Sequence, residues 1–62
     1  MNMKQAHAYL VRMHPEAQRV VTVKELTKDH GELRVHTTDE ILGKVVRRYT
    51  LEFGHLWFSG YV

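Results

Sequence analysis

Five histidines, His7, His14, His30, His36 and His55, have the widest chemical repertoire in this 62-residue chain. A zinc site needs three or four ligands close together, commonly with cysteine among them, and the chain has no cysteine. His7 and His14 are two helical turns apart, too far for one helix to bring both to one ion. No metal site is expected: His36 reads as a strand surface residue, and His30 and His55 as turn residues. Nucleophilic catalysis has little to work with, because the sole serine, Ser59, sits on a predicted strand beside Gly60 with no glycine elbow before it. Asp39 and Glu40 are adjacent, which suits capping of a turn more than an acid with its base. Gly31, Gly43, Gly54 and Gly60 are scattered singly and build no phosphate loop. The expectation is a chain with no catalytic residue, no metal and no cofactor, which acts by binding.

Two constellations point to what it binds. Arg48, Trp57 and Tyr61 are residue types enriched at protein interfaces, since flat rings bury much area for little lost side-chain entropy. Lys44, Arg47 and Arg48 place three cations within five residues, a phosphate-contacting edge next to rings that could stack on bases. Each has a plainer reading. A helix or a second protomer would turn the rings into core, and strand cations often serve only to keep a sheet edge solvated.

Positioning these groups falls to residues 45–62, which hold five of the six aromatics. From 48 to 53 the chain alternates polar and apolar residues, as a strand with one buried face requires, and Gly54-His55 offers a two-residue hairpin loop. That loop pairs Phe53 with Leu56, Leu51 with Phe58, and Arg48 with Tyr61. One face of the hairpin then carries Tyr49, Leu51, Phe53, Leu56 and Phe58; the other carries Arg48, Thr50, Glu52, Trp57, Ser59 and Tyr61. A one-residue slip of register would exchange the faces.

Upstream, residues 3–13 are rich in helix formers, with Met3, Ala6, His7, Leu10 and Met13 on one face, and Pro15 stops the helix near Met13. A strand over 6–13 is the rival. Val20-Val21-Thr22-Val23 favours a strand from about 19 to 26, although a helix from 15 to 30 also satisfies the end signals. Lys28-Asp29-His30-Gly31 reads as a hairpin loop with a left-handed glycine, and Leu33 to Thr37 alternates as the returning strand. Val21 and Val23 lie out of phase with Leu26, which a bulge near Glu25 would reconcile. Thr37-Thr38-Asp39-Glu40 fits a capping box, so one helical turn or a loop runs through Gly43 before a strand from about Lys44.

The expected fold is a single small α+β domain over 1–62: an N-terminal helix packed on a four-stranded antiparallel sheet that ends in a C-terminal β-hairpin. So short a chain buries only about 60 % of its unfolded surface, and without disulfides it often gains the missing burial by pairing, so a homodimer is one route to stability. No stretch approaches the roughly eighteen apolar residues of a membrane span, and a soluble cytoplasmic protein is expected. The first functional expectation is a non-catalytic module that recognises a protein through the Arg48, Trp57 and Tyr61 face or an open sheet edge. An inhibitor of a host protein, carried by a phage or mobile element, is the setting such a chain suits. The alternative is a small nucleic-acid-binding protein using Lys44, Arg47 and Arg48 with the stacking rings.

Overall fold

Helix α1 spans Met3–Met13 in the computed structural model, which describes residues 1–62. Asn2 starts it. Its side chain accepts from the Gln5 amide at 2.8 Å while the Gln5 side chain accepts from the Asn2 amide at 2.9 Å, a reciprocal cap that satisfies two otherwise orphaned donors. The helix stops at His14, which leaves helical geometry immediately before Pro15 because the proline ring disfavours it there. Met3, Ala6 and Leu10 form its buried stripe, so the helical period prevails over the strand alternative.

Four strands follow: β1 (Arg19–Thr27), β2 (His30–Asp39), β3 (Gly43–Glu52) and β4 (His55–Tyr61), paired antiparallel in the order β1-β2-β3-β4. The β-branched run at 20–23 therefore forms a strand and not a helix. Along β2 the alternation is clean: Gly31, Leu33, Val35 and Thr37 are buried while Glu32, Arg34 and His36 point the other way. The core consists of Met3, Ala6, Leu10, Leu33, Val35 and Leu51, between α1 and one sheet face. Helix α1 lies over β1 and β2 and leaves the β3–β4 half of that face uncovered by helix. Register shifts on β1, between Thr22 and Lys24 and between Glu25 and Thr27, flank Glu25 and place Val23 and Leu26 outside the ladder, which resolves their phase conflict. No helix is long and apolar enough to cross a membrane.

Three turns differ from expectation, each for a local reason. The β1–β2 turn needs only Lys28 and Asp29, so Gly31 is a strand residue opposite Glu25 and Leu51 and has no left-handed role. Its missing side chain serves close approach instead. A Cβ there would overlap the Lys24 carbonyl oxygen and lie 2.8 Å from the Met3 side chain. Gly31→Ala is accordingly expected to lower stability by about 1–3 kcal/mol, read as a lower denaturant midpoint.

The capping box at 37–40 does not form, because Thr37 and Thr38 stay in β2 and the turn is made by 40–42. Asp39 organises it: its Oδ1 accepts from the Ile41 amide at 2.8 Å and the Leu42 amide at 3.0 Å. Those two donors hold its carboxyl below the ordinary value of 3.8, so the ionised form favours the fold. That contribution is present above the ordinary value and fades as pH falls through the lowered one. Asp39→Asn keeps the acceptor and removes the titration; its denaturant midpoint is expected to fall less than the parent's between pH 5 and pH 2.

The third difference is the β3–β4 loop, which is Phe53-Gly54, with both residues left-handed at φ 51° and 77°, and not Gly54-His55. Two consecutive left-handed residues make the turn whose twist matches antiparallel strands. Phe53 accepts this geometry with its ring edge-on to His30 at 4.5 Å and its amide donating to His30 Nε2 at 3.3 Å. The observed partners are Glu52 with His55, Leu51 with Leu56, Thr50 with Trp57 and Tyr49 with Phe58. Moving the loop by one residue moves every partner by two, which preserves the alternation. Trp57 stays on the face away from the helix, and Leu56 and Phe58 stay on the helix side.

Candidate functional site

The face of the sheet away from α1 has nothing packed on it, and the register says which side chains it presents, since directly opposed residues share a face. Across the sheet the rows read Thr38–Lys44, Arg19–His36–Val46, Val21–Arg34–Arg48, Lys24–Glu32–Thr50–Trp57 and Glu52–His55. Arg19, Lys24, Arg34, Lys44 and Arg48 are five of the chain's nine Lys and Arg, whereas Glu32 and Glu52 are two of its seven carboxylates. This face thus holds an excess of three positive charges in a chain of net charge +2, and the rest of the molecule is slightly negative.

At the centre of the face two cations meet. Arg34 and Arg48 stand directly opposite each other on β2 and β3, and like charges so placed oppose pairing. Arg34 Nε donates to Glu32 Oε2 at 2.8 Å, the one ion pair on this face. Arg48 has no carboxylate; its Nη2 donates to the Ser59 carbonyl at 2.9 Å. Ser59 and Thr50 lock the spot, with Thr50 Oγ1 donating to Ser59 Oγ at 2.9 Å and Ser59 Oγ to the Arg48 carbonyl at 3.1 Å. Trp57, 43 % exposed, lies diagonally across β3–β4 from Arg48 and makes no ring contact of its own.

A second feature occupies the uncovered half of the helix side. Tyr49, Phe58 and Tyr61 form a line of rings with centroids 5.6 and 5.4 Å apart, and Arg47 lies over Phe58 and Tyr61. His14, at the end of α1, shares a 3.0 Å hydrogen bond with the Tyr49 hydroxyl, whose burial pushes its proton affinity above the ordinary tyrosine value. Arg47 is 3.5 Å from Asp39, and its Nε is buried without a partner. Phe58 and Tyr61 remain 45 % and 47 % exposed.

Tyr61 is therefore not beside Trp57 and Arg48, where simple alternation puts it. Between the Tyr49–Phe58 and Arg47–Tyr61 pairs, β3 spends one residue and β4 two, a bulge at Ser59-Gly60 in which Gly60 adopts φ 106°. The bulge turns Tyr61 to the helix side. Of the basic trio, Lys44 and Arg48 share the open face while Arg47 points to the other. Three further open-face cations, Arg19, Lys24 and Arg34, come from β1 and β2, whose strongest sequence signals are the β-branched run at 20–23 and the alternation at 33–37; Arg34 and His36 between Leu33, Val35 and Thr37 mark the outward face of β2. No three His, Asp or Glu side chains converge on a metal geometry: His7 Nε2 bonds the Val20 carbonyl, and His30 bonds Asp29 and Thr27.

By fold and site the chain is a small α+β domain with one sheet face half covered by the helix and one open basic face. Comparison with known proteins adds no relative: no family model, curated protein or solved structure matches it.

Proposed function

We propose that the protein is a non-catalytic binding domain whose open sheet face takes a polyanionic strand, single-stranded nucleic acid being the chemistry that fits best. The observation that carries this reading is the opposed Arg34–Arg48 pair at the centre of an uncovered face with an excess of positive charge. A phosphate seated between the two guanidinium groups would convert mutual repulsion into two charge-assisted hydrogen bonds. Trp57 offers the flat, half-exposed ring on which a neighbouring base stacks without regard to sequence.

The test uses Trp57, the only tryptophan, as its own reporter. Titration with a mixed-sequence single-stranded oligonucleotide is expected to quench its emission, with affinity falling steeply as salt rises. Unchanged emission together with no gel shift would sink the reading. Two substitutions resolve the face: Trp57→Ala is expected to cost about 1–3 kcal/mol of oligonucleotide binding, and Tyr61→Ala to leave it unchanged, by anisotropy of a labelled strand.

Recognition of another protein is the second reading, and the exposed Phe58 and Tyr61, in line with the half-buried Tyr49 and with Arg47 over them, favour it, as aromatic residues and arginine dominate binding hot spots. It moves the protein-binding surface from Arg48, Trp57 and Tyr61 to the helix side, next to the free edge of β4. Inhibition of a host protein, or self-association, would act there. Sedimentation at rising concentration reads self-association directly, and Phe58→Asp is expected to abolish it if a second copy covers the rings.

A further inference from the structure

At the end of the open face nearest the β2–β3 turn, the sheet dips into a hollow of about 260 Å³. Arg19 enters it from β1, His36 from β2 and Lys44 from β3, with Gln18 and Val46 at its sides. None of its lining residues is acidic, and neither Arg19 nor Lys44 takes part in an ion pair. Gln18 is held at the rim, its Nε2 donating to Thr38 Oγ1 at 3.3 Å. The hollow of about 170 Å³ at the opposite end of the same face is different, because Glu32 and Glu52 line it together with Lys24.

This asymmetry gives the face a direction. An anionic strand passing Trp57, Arg34 and Arg48 would reach the hollow two residues further along the strands at Arg19 and four at Lys44, roughly 7 and 14 Å at about 3.4 Å per residue. Beyond it lies the turn with the exposed Glu40, where a continuing phosphate backbone would meet a carboxylate. We infer that the hollow is an end-binding subsite, which takes the terminal phosphate monoester of a single strand lying on the open face. A monoester carries close to two negative charges at neutral pH, which two unpaired cations match, whereas an internal phosphodiester carries one. The inference rests on the open face binding nucleic acid.

The same phosphate monoester occurs on a strand end and on a free mononucleotide, and the experiment separates them. Oligonucleotides of one sequence bearing a 5′-phosphate, a 3′-phosphate or neither are titrated against the protein, with a nucleoside 5′-monophosphate as competitor. One phosphorylated end is expected to bind about tenfold tighter than the unmodified strand, the size of one charge-assisted contact. Lys44→Gln and Arg19→Gln, both at exposed positions outside the core, are expected to remove that preference while the unmodified strand loses much less. Equal affinity of all three strands overturns the subsite and leaves the open-face reading standing. Binding by none of them overturns both, and a mononucleotide that competes as well as the phosphorylated strand assigns the hollow to free phosphate esters and overturns the strand-end role.

Discussion

Leu33→Ala is expected to remove more than half of the domain's stability at 25 °C. Leu33 is fully buried on a central strand, and only five other apolar side chains share its core. At roughly 0.05–0.15 kcal/mol per residue, a chain of this length has about 3–9 kcal/mol of stability. A buried leucine truncated to alanine costs about 2–5 kcal/mol, the loss of transfer energy plus the cavity left behind. One substitution thus removes most of the margin, and a thinly covered fold cannot collapse around the gap. Circular dichroism and a urea titration read the outcome. Ile41→Ala is the control: Ile41 is 92 % exposed in the β2–β3 turn, and its midpoint is expected to shift within about 0.5 kcal/mol of the parent.

Arg48→Glu is expected to separate binding from stability. The substitution places an acid opposite Arg34, turning a repulsive cross-strand pair into an attractive one worth about 0.2–1 kcal/mol, at the loss of the Arg48 hydrogen bond to the Ser59 carbonyl. The fold is therefore expected to stay as stable as the parent or gain slightly. Oligonucleotide affinity moves the other way, by roughly tenfold to a hundredfold, because one charged contact to phosphate is lost and an anion takes its place. The slope of log affinity against log salt is expected to flatten by about 0.7 for that phosphate. A variant that loses binding and stability together would mean that Arg48 is a structural residue.

The elements were legible because their periods were. Met3, Ala6 and Leu10 repeat at helical spacing, Leu33, Val35 and Thr37 alternate without interruption, and Pro15 marks the end of the helix; these gave the helix and the central strand directly. The turns were less legible, since several two-residue loops accept a glycine and differ only in whether it stands first or second. A phenylalanine at positive φ is what selects Phe53-Gly54, and no local preference advertises it. Trp57 kept its face because the loop moved by one residue and the partners by two. Tyr61 did not, because alternation carries no mark of the bulge at Gly60 until its partner strand is known. The candidate site was harder to read for a related reason: its cations come from β1, β2 and β3, far apart in sequence, and only the register assembles Arg19, Arg34, Lys44 and Arg48 into one face. Proximity in sequence misled in the opposite direction, since Arg47 and Arg48 are neighbours that point to opposite sides.

The most direct test of which face binds is a backbone amide and indole NMR titration of the protein with a short single-stranded oligonucleotide. The account predicts progressive shifts at Arg34, Arg48, Thr50 and the Trp57 indole, extending to Arg19, His36 and Lys44, with Tyr49, Phe58 and Tyr61 on the helix side unmoved. Shifts centred on Tyr49, Phe58 and Tyr61, or no shifts at saturating strand, would contradict it.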